Sequence, residues 1–333
     1  MHSSDPLNVR PRTRDSSLSW TQEAAASYNS TVSRAFRTLL LVAAVGPGTR
    51  LDAMPGCLPL DDSPGAVRAV VVIDGAEDQA VAEAVRRVGA NTLVAESFPT
   101  VAGAAAASKA GLRYMARVTS EEILQLWTDA SLREAVRVLP NLSGFEYLDP
   151  DVPEGFSPPA TQRVNYQTLK SLFPSSLVVT ATRLDPIVWF PGYLDAYFRP
   201  EFSDLVVPYF YPVGTTYLGS RRQGDAWEND LRALLVPVAE RLPAGKEVLP
   251  VLQGFEQAEY PVDARLVARQ WDVYREIFPR NANVAGFWWG GAEVGPLTGM
   301  SKRPMLLEAF RRLFGAVPTR GAPCVAPGRS YSR

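Results

Sequence analysis

Residues 68–97 read RAVVVIDGAEDQAVAEAVRRVGANTLVAES, and this stretch decides the fold. RAVVVID (68–74) is a short β-branched apolar run. EDQAVAEAVRRVG then places its apolar residues three and four apart, and NTLVAES (91–97) is a second apolar run. The first and last patterns read as buried strands and the middle one as a helix with one apolar face. The unit is strand, helix, strand.

Outward from this unit the pattern recurs. Further strand-like runs are LRYMARV (112–118), LSGFEYLD (142–149), LVVTATR (177–183), DLVVPYFYP (204–212), VLPVLQGFE (248–256) and VAGFWWG (284–290). Between them lie helical patterns such as SEEILQLWTDASLREAVRVL, ENDLRALLVPVAERL and DARLVARQWDVYREIF, and RPMLLEAFRRLFG closes the series. An aromatic, proline-rich segment, 186–203, replaces one clean helix. Eight alternations over about 250 residues are the count and length of a (β/α)8 barrel. A doubly wound sheet would carry GxGxxG after an early strand or a Walker motif, and neither occurs. The expected architecture is α/β, a single-domain (β/α)8 TIM barrel over residues 65–316. Residues 1–64 and 317–333, rich in Ser, Pro, Gly and Arg, are expected to be flexible tails.

Composition narrows the chemistry. A formal net charge of -1 gives no electrostatic argument for nucleic acid. The one histidine is His2, which excludes His-based triads, His-ligated zinc and a histidine base from the folded region. The four lysines, Lys109, Lys170, Lys246 and Lys302, miss the strand ends where Schiff-base chemistry would need one. No CxxC occurs; Cys57 and Cys324 flank the regular elements and could pair in an oxidising compartment. No cofactor and no metal site is expected, although carboxylate oxygens for a hard cation are plentiful. Arg34 and Arg37 precede the apolar run Leu39 to Val45, so 34–45 is signal-like and far too short to span a bilayer. Export is therefore one expectation and a cytoplasmic location the other.

The same stretches carry a resemblance. RRVGANTLVAES followed by AAASKAGLRYMARVT is similar to strands two and three of TIM-barrel glycoside hydrolases, where a helix ending in "lGaNt" enters strand two and "A…aGLk" enters strand three. NLSGFEYLDPD resembles their fourth strand, in which a glycine-aromatic start runs into a tip carboxylate. The resemblance covers most of residues 66–310 at the level of the superfamily. The "NEP" signature of the largest clan is absent, Glu146-Tyr147-Leu148 standing there. It implies a carbohydrate substrate and an active site at the C-terminal strand ends.

Read in order, those ends offer Asp74, Glu96, Arg117, Glu146 with Asp149 and Asp151, Arg183 with Asp185, Tyr209 and Tyr211, Gln253 with Glu256, and Trp288, Trp289 and Glu293. Glycoside hydrolysis needs two carboxyl groups across an acetal and no cofactor. Glu146 sits inside the apolar run LSGFEYL, where an idle glutamate is costly. It is read as catalytic, the alternative being an ion pair with Arg117 or Arg183. Asp149, at the strand tip, is a second catalytic candidate or a turn residue before Pro150. Glu256 is a third, from its position alone, since many retaining relatives keep a nucleophile at the end of strand seven. Asp74, Glu96, the pair Arg183 and Asp185, Tyr209, Tyr211 and Gln253 are read as substrate-binding. Neighbouring strand residues point to opposite faces, so Trp288 and Trp289 cannot share one core, and one of them is expected to floor a sugar subsite. The aromatic runs WFPGYLDAYF and PYFYPVGTTYLGS suggest further subsites. The rival readings are a non-catalytic carbohydrate-binding barrel and a phosphate-handling barrel that uses GGAEVG at a helix N-terminus.

Overall fold

The computed structural model describes residues 66–149, 152, 155–212, 226–257, 261–287, 289–290 and 297–316. The two tails, the 34–45 segment, Cys57, Cys324, Asp151, Trp288 and Glu293 lie outside them.

Strands β1 (Arg68–Val72), β2 (Thr92–Ala95), β3 (Arg113–Thr119), β4 (Leu142–Leu148), β5 (Leu177–Arg183) and β6 (Leu205–Tyr209) are the first six staves of a barrel. β7 (Glu247–Val248) and β8 (Val251–Gln253) form an interrupted seventh, and β10 (Val284–Phe287) is the eighth. Every neighbouring pair is parallel, β10 pairs with β1, and β5 pairs with β6, so the sheet closes. Helices lie between the staves: α1 (Gln79–Arg87), α2 (Val101–Lys109), α3 (Ser120–Thr128), α4 (Ala130–Arg137), α5 (Pro159–Leu172), α6 (Pro186–Trp189), α7 (Tyr193–Tyr197), α8 (Ala226–Arg241), α9 (Ala264–Ile277) and α10 (Pro304–Ala316).

Each stave is buried on both faces, which is why it reads as a continuous apolar run. The side chains divide by strand parity into two hydrophobic clusters. Ala69, Val71, Val94, Met115, Val179, Val207, Val251 and Ala285 fill the interior. Val70, Val72, Leu93, Tyr114, Phe145, Val178, Val206 and Leu252 pack outward with the helices. Gly144 takes an interior place on β4 because a Cβ there would come within 2.6 Å of the Leu177 carbonyl oxygen. At the opposite end from the mouth, asparagines tie staves together. Asn91 accepts from the Arg68 N–H, Asn141 donates to the Leu112 carbonyl, and Asn283 accepts from the Val67 N–H. Polar residues fixing that end serve stability rather than chemistry.

Three local outcomes differ from the sequence pattern. The long helix after β3 breaks at Asp129, whose carboxylate accepts the Ser131 and Leu132 N–H groups and caps α4. Segment 186–203 folds as two short helices and a 3-10 turn, Pro200–Phe202. The seventh strand ends at Gln253. Beyond Gly254 the chain leaves the barrel, and β9 (Phe255–Gln257) pairs antiparallel with β11 (Leu297–Gly299) in a separate ribbon. Glu256 therefore sits on that ribbon and not on a stave.

Candidate active site

Two residues beyond the interior pair Val94 and Met115, the same faces of β2 and β3 reach the C-terminal mouth and present Glu96 and Arg117. β4 presents Glu146 in register with Arg117. Arg117 Nη2 stands 3.0 Å from Glu96 Oε1 and 3.1 Å from Glu146 Oε2, and Nε donates to Glu146 Oε2 at 3.3 Å. The Glu96, Arg117 and Glu146 side chains are 8%, 18% and 10% exposed. Charges so far from water persist only when paired. The ion pair foreseen as the alternative for Glu146 thus forms with Arg117, and it takes in Glu96 as well. Since both oxygens flank one nitrogen, the facing oxygens of the two carboxylates are at most ~6 Å apart.

The next stave continues this polar arc. Arg183 and Asp185, both buried, form a two-point pair, Nε to Oδ1 at 3.2 Å and Nη2 to Oδ2 at 2.8 Å. Asp149 follows the last residue of β4, half-buried, and accepts from Ser157 Oγ at 3.3 Å. Asp74 lies two residues past β1 and is exposed. Beside Glu146, Tyr147 points to the opposite face and donates to the Phe202 carbonyl at 3.3 Å; burial pushes its phenol well above the usual range.

The other side of the mouth is aromatic. Tyr209 lies 5.4 Å from Tyr211, and Tyr211 stacks on Phe287 at 5.3 Å between ring centres. Phe255 meets Tyr211 and Phe287 edge-on at 5.0 and 5.9 Å. Gln253 is fully buried and its carboxamide donates to the Phe255 carbonyl at 3.1 Å. Because Phe255 joins these rings, its neighbour Glu256 points the other way. There Glu256 pairs with Arg303 and accepts from the Val262 N–H at 3.4 Å. Trp289, 5% exposed, belongs to the outer hydrophobic cluster, and its N–H donates to the Val71 carbonyl at 2.8 Å. Of the GGAEVG loop, the residues from Gly291 onward lie outside the described region.

The structure thus brings Glu96 and Glu146 together, and Arg183 with Asp185. It sets Tyr209, Tyr211 and Gln253 on a second side and turns Glu256 away from both. The residues not singled out from the sequence are Arg117 as the bridge between two carboxylates, and Phe255 and Phe287 as members of the aromatic group. Strand parity carried the signal for two of them: Arg117 is two residues past Met115, and Phe287 two past Ala285. Phe255 had no such signal, because it follows the glycine at which the chain leaves the barrel. Among the described residues, no three His, Cys, Asp or Glu side chains are grouped so as to hold a metal ion. Nor is any helix there long and apolar enough to cross a membrane.

A scan against family models finds no match, and neither does a search of curated proteins. Solved structures do match. A β-D-glucuronidase of Dictyoglomus thermophilum is 10% identical with a TM-score of 0.50 over 77% of this chain and 51% of that one. β-Glucuronidase 2 of Bacteroides uniformis is 10% identical with a TM-score of 0.44 over 68% of this chain and 30% of that one. This chain spans about a third to a half of those enzymes' length. The closed eight-stave parallel barrel and the likeness to the Dictyoglomus thermophilum enzyme's structure show that the chain has a TIM-barrel fold.

Proposed function

We propose that the protein is a glycoside hydrolase that cleaves an oligo- or polysaccharide at the C-terminal mouth of its barrel. The observation that carries this reading is the Glu96–Arg117–Glu146 cluster. Two carboxylates drawn onto one guanidinium titrate as a coupled group, so a single proton can be held between them. That state supplies what glycosidic cleavage needs, one charged carboxylate and one carboxylic acid. Arg117 faces both carboxylates; Glu146, which it meets through two nitrogens, takes the ionised role in this reading, and Glu96, which it meets through one, takes the role of the acid. Glu146 attacks the anomeric carbon or takes a proton from the attacking water. Glu96 gives its proton to the departing glycosidic oxygen. Asp149 and the Arg183–Asp185 pair hydrogen-bond the sugar hydroxyls, and Tyr209 and Tyr211 pack on its apolar face. In this reading residues 65–316 are the catalytic unit and the partner is a carbohydrate.

The test is release of reducing ends by the full chain across a polysaccharide panel, beside Glu146→Gln and Glu96→Gln variants. Activity in the wild type that both variants lose supports the assignment. Activity that survives in Glu146→Gln removes it.

A second reading, a carbohydrate-binding barrel without turnover, is favoured by the pairing of Asp185 with Arg183 and of Glu256 with Arg303. Under it the wild type binds members of the panel, releases no reducing ends, and keeps its affinity in Glu146→Gln.

A further inference from the structure

The β5–β6 connection carries a second aromatic assembly, outside the barrel interior. Phe156 stacks on Trp189 with ring centres 5.8 Å apart and on Phe190 at 6.3 Å, at interplanar angles of 24° and 19°. Trp189 and Phe190 lie 25° from parallel. Tyr193 and Tyr197 back this wall at 5.1 and 5.2 Å from Phe156. Its outer surface is open: Trp189 is 52% exposed and Val188 58%. Burying an indole is favourable, so an exposed indole that continues a wall of stacked rings offers a surface on which an apolar face gains by packing.

We infer that Trp189 is a distal glycan subsite and that the substrate is a chain long enough to reach it from the mouth. This rests on the glycoside-hydrolase reading of the preceding section. Continuity with the mouth argues for that occupant. α6 begins directly after Asp185, whose carboxylate is fixed by Arg183, and one helical turn carries Trp189 ~6 Å beyond it. On its other side the wall is tied to the loop after Asp149, since Phe156 belongs to that loop and Tyr193 Oη donates to the Gly155 carbonyl at 2.9 Å. Chemistry argues the same way. In residues 186–198 the one charged side chain is Asp195, and Arg241 pairs with it at 2.9 Å. An uncharged flat ring suits the C–H face of a pyranose and offers nothing to a phosphate or carboxylate. With a subsite one helical turn outside the mouth, affinity grows with chain length, and cleavage within a polymer is favoured over trimming of disaccharides.

The experiment compares wild type with Trp189→Ala, Trp189→Phe and Trp127→Ala. Trp127 is as exposed, at 53%, but lies in the last turn of α3, the helix that leads away from the mouth. The probes are neutral gluco-, manno-, xylo-, galacto- and N-acetylglucosamine oligosaccharides from disaccharide to octasaccharide. Affinity is read by calorimetry and cleavage by reducing-end release in the same mixtures. The wild type is expected to bind longer chains more tightly. Trp189→Ala is expected to flatten that gain by up to about tenfold, the range of a single aromatic contact, leaving the shortest cleaved substrate unaffected. Trp189→Phe should recover part of it and Trp127→Ala should match wild type. An unchanged length dependence in Trp189→Ala overturns the subsite while cleavage lost in Glu146→Gln keeps the enzyme reading intact. A wild type that binds none of the probes also overturns the subsite, and reducing-end release across the wider polysaccharide panel then decides the enzyme reading separately.

Discussion

The two sides of the barrel mouth are built on opposite principles. On β2 to β5 the interior positions nearest the opening are charged and mutually satisfied: Glu96, Arg117 and Glu146, then Arg183 with Asp185. On β6, β8 and β10 the corresponding region is ring against ring: Tyr209, Tyr211, Phe255 and Phe287. Both solve one problem, closing the end of a packed interior without leaving unpaired polar groups in it. Under the proposed function, the difference sets what fits between them. A ligand that spans the mouth must offer polar edges to one side and an apolar face to the other, and a pyranose ring does both.

The largest expected effects come from the charged side. If Glu146 is the ionised carboxylate, Glu146→Gln lowers turnover by ~10³-fold with little change in glycan affinity, as steady-state rates and calorimetry would read. Arg117→Met leaves two buried carboxylates facing one another. The expected loss is about 3–5 kcal/mol of unfolding free energy, measurable by denaturant titration at neutral pH. A variant as stable as wild type would mean that the cluster is far wetter than its exposures imply, and the contrast between the two sides would collapse.

On the aromatic side the loss should appear in binding and packing. Phe287→Ala removes a ring from contact with Tyr211 and Phe255 and is expected to cost about 2 kcal/mol of stability. KM should rise more than kcat falls. A collapse of kcat with KM unchanged would assign this side to the chemistry.

How much of this could be read from the sequence differs between the two sides. The staves were legible because a strand buried on both faces is a continuous apolar run, and Glu146 stood out because it interrupts one. Its pairing with Arg117 was open as an alternative, since the registered neighbour on β3 depends on strand stagger, which spacing along the chain does not fix. Glu96 as a third member was hidden for the same reason. The Trp288–Trp289 pair drew attention because adjacent strand residues face opposite ways; Trp289 packs in the outer layer, Trp288 lies outside the described residues, and the ring of β10 that joins the aromatic group is Phe287. Glu256 was placed by analogy with a strand end. Gly254 redirects the chain before that point, and a glycine's turn depends on what crowds it in space.

Behind each side of the mouth lies a buried phenol, which makes a milder test of the outer layer. Tyr147 donates to the Phe202 carbonyl behind the charged side, and Tyr274 to the Pro208 carbonyl at 3.0 Å behind the aromatic side. Burial raises both above the ordinary range, and Tyr166, beside Asp204, is pushed up to about 12, first by burial and then by that carboxylate. A raised pKa means that the folded state holds its proton more tightly than the unfolded chain. The stabilisation is complete below the unfolded value of ~10 and is lost as pH rises through the folded values. Thermal midpoints should be flat from neutral to mildly alkaline pH and fall above about pH 10. Tyr147→Phe and Tyr274→Phe should each soften that fall. Equal softening would show one common outer layer, and unequal softening would show that one side opens first.

The smallest expected effect sharpens the comparison most. Glu256 belongs to neither side. It sits on the β9–β11 ribbon against Arg303, whose side chain is 47% exposed. A pair open to solvent on one member contributes little, and Glu256→Gln is expected to change stability by less than about 1 kcal/mol and turnover by no more than ~3-fold. Turnover is the informative reading. A fall comparable with that of Glu146→Gln, with the fold intact by circular dichroism, would mean that the ribbon turns to bring Glu256 into the mouth when substrate is present. The charged side would then act with a partner from across the barrel, and the carboxylate paired with Glu146 in catalysis would be Glu256 instead of Glu96. A near-silent substitution leaves the chemistry on one side of the mouth, where the arginine-bridged pair already stands.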